Sequence, residues 1–218
     1  MSLVFYGHPF SSYCQKVLVA LYENDLSFDY RVISQDRPDV AAEWIALWPL
    51  QKMPVLVDAG RTVVESSTVI EHLHLHHRGP VSLIPDDPVD ALEVRFMDRF
   101  FDNHVMTPMQ LPVAEALRAD GRKEDALRRA ATALDTSYAW LEHRLHGRTW
   151  AAGEAFSMAD CAAAPSLFYA DWVRPIGEAF PTVHAYRQRL LARPSFARAV
   201  EEARPYRPLF PLGAPDRD

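Results

Sequence analysis

The stretch that decides the fold is MPVLVDAGRTVVESSTVIEHL, residues 53–73. Two short valine-rich runs, PVLVD and RTVVES, flank Ala59-Gly60, which is the best hairpin signal in the chain. After the second run, the apolar residues recur at helical spacing instead of alternating. We therefore predict a β-hairpin followed directly by an amphipathic helix, with Ser66 or Ser67 as the helix N-cap.

The residues before the hairpin alternate between strand and helix patterns. LVFY at 3–6 and SFDYRVI at 27–33 predict strands, and residues 12–24 predict an amphipathic helix between them. A loop rich in Asp, Pro and Trp, with room for one short helix, leads into the hairpin. The order β-α-β, hairpin, α predicts a small α/β domain over residues 1–78.

Helical patterns dominate after a segment marked by Pro and Gly, residues 79–87, which we predict to be a linker. We predict an all-α domain over residues 88–218. Pro108 and Pro112 should kink or end its first helix, because proline lacks the amide donor and clashes with the preceding turn. The predicted helices cover about 89–118, 122–146, 157–172, 181–192 and 195–203.

The helix predicted from residue 157 is almost wholly apolar, so we expect it at the centre of the helical domain. Ser157 and Asp160 precede this run with the spacing of a capping box, in which each side chain satisfies a backbone amide of the other residue. A buried helix start has no water to cap it. The pair therefore indicates a folding device and not a functional site.

Composition and charge exclude several function classes. The net charge of -6 leaves no excess of Lys and Arg to neutralise phosphates, which argues against nucleic-acid binding. No apolar run approaches the roughly 20 residues that a membrane helix needs, and MSLVFYG enters the first strand without a signal-peptide pattern. Cys14 and Cys161 are far apart in apolar contexts, which is typical of reduced thiols. These features predict a cytoplasmic protein.

The segment HPFSSYC, residues 8–14, lies where the first strand turns into the first helix. A helix N-terminus can bind an anion through its free backbone amides. Thiol oxidoreductases carry Cys-x-x-Cys at such a junction, whereas this chain has Ser11 in the first position and Cys14 in the last. The junction therefore suggests that a thiolate is stabilised here without a cysteine pair.

These features together resemble the cytosolic glutathione S-transferase family, in a serine-type, bacterial or zeta-like form. The resemblance rests on SSYC, on the hairpin and helix of residues 53–73 and on the capped apolar helix, and it extends over about residues 2–205. It implies a thioredoxin-like N-terminal domain, a helical C-terminal domain, glutathione as co-substrate, a homodimer and a role in detoxification.

The resemblance also implies a set of glutathione contacts. The backbone of Met53, before a cis Pro54, should pair with the cysteinyl part of glutathione. Ser66, at a helix N-terminus, should hold the γ-glutamyl carboxylate, and Glu65 should pair with the γ-glutamyl ammonium. Lys52 should contact the glycine carboxylate.

Ser11 is the predicted catalytic residue, because it occupies the place of the nucleophilic cysteine in the related redox motif. Its hydroxyl would donate a hydrogen bond to the glutathione sulfur and favour thiolate over thiol. Three rivals stay open: Ser12, for which we prefer the role of N-cap; Tyr6, which we expect to serve packing; and Cys14, which is either a buried thiol or a reactive one.

The electrophile is expected to be small and apolar. The first helix of the helical domain should line both its pocket and the dimer face. The histidines of EHLHLHHR include His72 and His76, one helical turn apart, but no carboxylate or cysteine pair completes a metal-ligand set, so we predict no metal. The candidates for the apolar wall of the electrophile pocket are Phe10, Met106, Tyr169 and Trp172.

Three functions remain compatible with the sequence. The preferred one is a glutathione transferase acting on a small electrophile. The second is a related enzyme, either a maleylacetoacetate-type isomerase or a thiol reductase that depends on Cys14. The third is a binding scaffold that keeps the fold without catalysis.

Overall fold

The N-terminal part of the computed structural model, which describes residues 3–218, is a four-stranded sheet with three helices. This confirms the predicted thioredoxin-like α/β domain. The loop before the hairpin contains one short helix, as its composition allowed. The elements are β1 (Leu3–Gly7), α1 (Ser12–Glu23), β2 (Phe28–Val32), α2 (Pro38–Leu47), β3 (Val55–Asp58), β4 (Arg61–Val64) and α3 (Ser66–His76).

The strand order in the sheet is β2-β1-β3-β4. β1 pairs with β2 in parallel, with Leu3 opposite Phe28, and with β3 in antiparallel orientation, with Phe5 opposite Leu56. β3 and β4 form the predicted hairpin, closed by the pair Asp58 and Arg61. This order puts β1 and β3 in the interior of the sheet and β2 and β4 at its edges.

The C-terminal part is helical, as predicted, and begins at Pro88 after a segment without helix or strand that contains the predicted linker. Within residues 3–218, no helix combines the length and the apolar character that crossing a membrane requires. The elements are α4 (Pro88–Phe100), a π-helical turn (Phe101–Met106), α5 (Thr107–Ala116), α6 (Lys123–Arg144), α7 (Met158–Val173), α8 (Pro181–Leu191), α9 (Pro194–Ala203) and a 3-10 segment (Arg204–Leu209).

The first helix of this domain is interrupted before it reaches Pro108 and Pro112, the residues that were expected to kink or end it. The π-helical turn separates α4 from α5, and Pro108 lies in the first turn of α5. Pro112 lies inside α5 without ending it. The hydrogen bonds of a π-helix join residues five apart, so each turn is wider than in an α-helix. Asp102 and Asn103 of this turn face the N-terminal domain.

The start of α7 confirms the predicted capping box. Asp160 is fully buried and accepts hydrogen bonds from the Ser157 amide at 2.8 Å, the Ala151 amide at 2.8 Å and the Tyr186 hydroxyl at 2.6 Å. Burial raises the pKa of the Asp160 carboxyl, and these donors oppose that rise. Asp160 therefore joins the helix start to α8 as well as capping it.

Two other predicted caps are wrong. Ser11, and not Ser12, is the N-cap of α1, and its Oγ accepts a hydrogen bond from the Cys14 amide at 3.4 Å. The N-cap of α3 is Glu65, with a φ of 67° and no side-chain bond to the helix. The expectation that Ser66 or Ser67 caps α3 fails because the chain enters this helix through a left-handed residue, so both serines already lie inside the first turn.

A buried ion cluster joins the two domains beneath the start of α3. Lys16 of α1 is 1% exposed, and its Nζ lies 2.7 Å from both Asp98 Oδ1 and Asp102 Oδ2. Ser67 Oγ accepts from Lys16 at 2.8 Å and donates to Asp98 at 2.7 Å. Burial lowers the pKa of Lys16, but the two carboxylates outweigh that effect and raise it. The ammonium group therefore stays charged inside the protein.

Lys16→Met should strongly destabilise the fold, because it leaves two carboxylates without their counterion between the domains. Breaking a buried pair of this kind costs about 3–5 kcal/mol, which denaturant unfolding would measure. Lys123→Met is the matched control, because Lys123 is an exposed lysine at the start of α6, and it should leave the unfolding midpoint unchanged. Equal midpoints for the two variants would contradict the structural role of the cluster.

Candidate functional site

A polar cavity of about 480 Å³ lies between the two domains. It is bordered by the start of β3, the first turn of α3 and the end of α4 with its π-helical turn. All five residues predicted to bind glutathione lie on its wall. The lining residues are Tyr13, Trp48, Lys52, Met53, Pro54, Glu65, Ser66, Ser67, Thr68, Arg99, Asp102 and Asn103.

The backbone on one side of this cavity is fixed before β3. The Met53-Pro54 peptide bond is cis, as the family resemblance implied. The Trp44 indole donates to the Lys52 carbonyl at 3.0 Å and ties the loop to α2. Pro54 is buried, while Lys52 is exposed with its ammonium group free to reach solvent or a ligand. This side of the cavity combines a fixed backbone with a mobile positive charge.

The opposite side of the cavity is the N-terminus of α3. Ser66 is its first residue and is buried, and the first turn contains no acidic side chain. The first amides of a helix have no acceptor within the helix, so they present donors and a partial positive charge to the cavity. Glu65 lies exposed beside them. An α-amino acid group would find partners for both its carboxylate and its ammonium here.

Sequence reasoning missed the contribution of the helical domain to this cavity. Arg99, Asp102 and Asn103 line it from the end of α4 and the π-helical turn, and Arg99 and Asn103 are exposed. Their spacing gave no signal, because the turn that brings them to the cavity is not encoded by a recognisable pattern. With Lys52 and Glu65, they provide charges of both signs, which suits a zwitterionic peptide.

A smaller cavity of about 210 Å³ lies at the start of α1. Its wall is mainly apolar and includes Phe10 and Tyr169, as predicted for the second substrate. Leu209, Phe210 and Pro211, at the end of the 3-10 segment and just after it, close one side of it. The lining residues are Phe10, Ser11, Ser12, Met109, Gln110, Val113, Leu117, Tyr169, Leu209, Phe210 and Pro211.

Ser11 is half-buried at the wall of this smaller cavity. Its Oγ accepts from the Cys14 amide, and its hydroxyl also lies within hydrogen-bonding reach of the Cys14 thiol, so a ligand in the cavity would compete with that sulfur for the hydroxyl proton. Two hydrogen bonds fix the loop that precedes Ser11. The side-chain amide of Gln15 donates to the Pro9 carbonyl at 2.9 Å, and the Tyr169 hydroxyl donates to the Phe10 carbonyl at 3.0 Å. These bonds fix the backbone that carries Ser11.

The rivals of Ser11 lie in less suitable positions. Tyr6 donates to Glu43 of α2 at 2.9 Å and is otherwise buried, consistent with the expected packing role. Cys14 is 0% exposed, and burial raises the pKa of its thiol to about 11 despite hydrogen bonds from Ser11 and the His8 amide. Ser12 lines the smaller cavity but is almost fully buried.

Two of the predicted wall residues need correction. Met106, the last residue of the π-helical turn, is 1% exposed and packs in the hydrophobic core. Trp172 lies one layer behind the wall, with its ring 6.2 Å from Phe10 and 5.2 Å from Phe210. Trp172 therefore supports the wall of the pocket from behind.

Tyr13 is a further residue that the sequence analysis missed. It follows the serine pair and lines the larger cavity, whereas Ser11 and Ser12 line the smaller one. Burial, followed by the nearby Asp102, raises the pKa of its phenol to about 12, so the hydroxyl keeps its proton and can donate. The first turn of α1 thus separates a polar cavity from an apolar one.

Comparison with known proteins agrees with this architecture. Residues 5–81 match the model of the glutathione S-transferase N-terminal domain, and residues 103–194 match that of the glutathione S-transferase C-terminal domain. Among solved structures, a glutathione S-transferase from Methylobacillus flagellatus with glutathione bound superposes with a TM-score of 0.79 at 23% identity, covering 91% of this chain and 98% of that one.

Two relatives differ in their described roles. A probable maleylacetoacetate isomerase from Vibrio cholerae is 26% identical over 94% of this chain and 98% of its own length. FtsZ-localized protein A from Caulobacter vibrioides is 29% identical over 86% of each chain. Because the two domain models together match well over half of the sequence, this chain belongs to the cytosolic glutathione S-transferase family, whose co-substrate is glutathione.

Proposed function

We propose that this protein activates the thiol of glutathione with Ser11 for attack on a small apolar electrophile. The observation that carries the proposal is the position of the first turn of α1. Tyr13 faces the polar cavity, and Ser11 faces the apolar one. A tripeptide bound in the polar cavity with its thiol at this turn would meet an apolar substrate there.

Glutathione would bind through both ends and its middle. Its γ-glutamyl carboxylate would accept from the amides at the start of α3, with Ser66 in the first turn and Glu65 beside the ammonium. The backbone of Met53, followed by Pro54, would pair with the cysteinyl residue, and Lys52 would meet the glycine carboxylate. Each contact uses a group that lines the larger cavity.

Ser11 would act as a hydrogen-bond donor and not as a nucleophile. A free thiol has a pKa of about 8.5 and is mostly protonated at neutral pH. The Ser11 hydroxyl and the positive end of α1, which has no acidic residue in its first turn, would both stabilise the thiolate. The proton would leave to solvent, and the sulfur would form the new bond to the electrophile.

An isomerase is a second candidate, favoured by the relative from Vibrio cholerae, which is described as a probable maleylacetoacetate isomerase. Such a reaction would use the same thiolate but return glutathione unchanged at the end of each cycle. A transferase consumes one glutathione for each product molecule. Measuring free thiol alongside product formation separates the two, and the site proposed for glutathione is the same in both.

A non-enzymatic scaffold is a third candidate, favoured by the relative named FtsZ-localized protein A. Against it stands the polar cavity, in which Lys52, Glu65 and Ser66 converge without a folding role that requires them. A scaffold would not need glutathione. Ligand binding would stabilise the fold by about 2.7 kcal/mol at one hundred times the dissociation constant, so the absence of a melting-temperature shift at millimolar glutathione would favour the scaffold.

Ser11→Ala should raise the pKa of the bound thiol, whereas Glu65→Gln should lower the affinity for glutathione. Ser11→Ala removes a hydrogen bond to a charged sulfur, worth about 1.5–3 kcal/mol, so the pKa of the bound thiol should rise by about 1–2 units. The pH profile of the conjugation rate should move to higher pH, while the affinity for glutathione changes little. Glu65→Gln should weaken glutathione binding without moving the profile. Both are measured by thiolate absorbance and by thermal shift.

The cap role of Ser11 is separated from its catalytic role by the pH profile. Loss of an N-cap costs about 1 kcal/mol of stability but does not move the pKa of a bound thiol. Tyr13→Phe tests the nearest rival donor, because it keeps the ring and removes the hydroxyl. If Tyr13→Phe shifts the profile and Ser11→Ala does not, Tyr13 is the activating residue and the assignment of Ser11 is wrong.

The thiols of this protein should be unreactive in the folded state at pH 8. Cys14 and Cys161 are both 0% exposed, and burial raises both thiol pKa values. An aromatic disulfide reagent should therefore titrate no thiol rapidly until denaturant is added, and two thereafter. Rapid reaction of one thiol, abolished by Cys14→Ser, would instead support a thiol reductase that depends on Cys14.

We also propose a homodimer in the cytoplasm, as is typical of this family. Support comes from large apolar side chains that stand exposed on α4 and α6. Leu92 is exposed, and Phe96 is 45% exposed with its ring 5.8 Å from that of Trp140. An apolar surface of this kind on two adjacent helices is typical of protein interfaces. We call these three residues the α4–α6 patch.

Phe96→Glu should weaken the dimer, because it places a charge in the centre of the α4–α6 patch. Burial of one aromatic side chain is worth about 1.5–3 kcal/mol, so the dissociation constant should rise at least ten-fold. Sedimentation equilibrium measures it. Leu117→Glu is the control, since Leu117 is also a large apolar residue, 73% exposed, but lies at the end of α5 and outside the α4–α6 patch. An unchanged dimer in Phe96→Glu would locate the interface elsewhere.

A further inference from the structure

Two histidines and one aspartate converge at the far edge of the N-terminal domain. His72 Nε2 lies 2.9 Å and His77 Nε2 lies 2.7 Å from the same oxygen, Asp58 Oδ2. Asp58 ends β3, His72 lies in α3, and His77 is the C-cap residue that follows α3. We call these residues the Asp58–His72–His77 cluster. The proposed reaction makes no use of it.

The cluster supplies the carboxylate whose absence led the sequence analysis to predict no metal. That prediction considered His72 and His76, which are one turn apart. The partner of His72 is instead His77, because the backbone leaves the helical path there, with φ of -137°. β3 brings Asp58 beside both rings, a contact that crosses 14 and 19 positions of sequence.

The geometry of the cluster is close to that of three metal ligands. The three donor atoms lie within 4.8 Å of one another. Zinc bonds to nitrogen and oxygen are about 2.0–2.1 Å, so tetrahedral ligand atoms lie about 3.3–3.4 Å apart. Separations of 2.7 and 2.9 Å in the cluster therefore need to open by only about half an ångström.

The chemistry of the cluster also suits a transition-metal ion. Neutral imidazole and carboxylate ligands favour zinc, nickel, cobalt and copper over magnesium and calcium, which prefer oxygen. Each imidazole can move its proton to Nδ1 and present a lone pair at Nε2. The side chains of Asp58 and His77 are 13% and 26% exposed, so solvent and ions reach a cluster that is otherwise shielded.

His76 lies beside the cluster without belonging to it. Its side chain is exposed, and the centre of its ring lies 4.5 Å from that of His72. Three protein ligands would leave one position of a four-coordinate ion to a water molecule. Four-coordinate sites with three protein ligands and one exchangeable position are a common zinc arrangement.

We propose that Asp58, His72 and His77 form a binding site for one divalent transition-metal ion of the zinc class. The ion clamps the turn of the β3–β4 hairpin to the C-terminal end of α3. The ion would join these two elements at the ends opposite to the polar cavity. The proposal is independent of glutathione binding, because none of the three ligands lines that cavity.

Zinc titration of metal-stripped protein by calorimetry tests the site. The wild type should bind one Zn²⁺ per chain, and His72→Gln, His77→Gln and Asp58→Asn should each weaken binding at least ten-fold. His74→Gln is the matched control, because His74 lies on the same helix with Arg78, Glu71 and Arg95 as its charged neighbours, and it should bind as the wild type does. Titrations are run without glutathione, whose thiol also binds zinc.

The melting temperature provides a second readout for variants that are themselves less stable. Zn²⁺ should raise it in the wild type and in His74→Gln, and should not raise it in His72→Gln or His77→Gln relative to each variant's own metal-free value. Binding that is absent from the wild type, or equal in the His72 and His74 variants, overturns the proposal. In that case Asp58 serves only as a hydrogen-bonding anchor for the two rings.

Discussion

The arrangement of the whole protein depends on one buried ammonium group. Lys16 lies between Asp98 and Asp102 of the helical domain and Ser67 of the α/β domain. A charge in this position is tolerated only with its partners in place, since an unpaired ion in the interior costs several kcal/mol. The relative position of the domains is thereby fixed where the polar cavity needs both of them, because Ser67 and Asp102 are also part of its wall.

Each of the two cavities lies at the N-terminus of a helix. α1 and α3 both begin at a cavity, and neither carries an acidic residue in its first turn, whereas α4 and α6 do. Apart from Glu65 at the N-cap of α3, no acidic side chain compensates the positive ends of these two helices, and we propose that they stabilise a thiolate and a carboxylate. This explains how a protein with a net charge of -6 can attract a ligand that is itself acidic.

Local features were predictable from the sequence, and long-range ones were not. The hairpin around Ala59-Gly60 and the cap of α7 are encoded within a few residues, and both formed as predicted. Met106 packs in the core, and its sequence context does not distinguish a core methionine from one that lines a cavity. Arg99 reaches the polar cavity, and Phe210 reaches the apolar one, through packing between distant segments that no periodicity records.

The hairpin and α3 connect two sites that lie at opposite ends of the same elements. β3 begins directly after Pro54, beside the polar cavity, and ends at Asp58 beside the histidines, and α3 begins at Ser66 and ends next to His77. A helix of 11 residues is about 16 Å long and moves as a rigid rod. His72 and His77 tie the C-terminal end of α3 to Asp58, at the end of β3. These bonds therefore lie at the opposite end of α3 from the amides that we propose to bind the γ-glutamyl carboxylate.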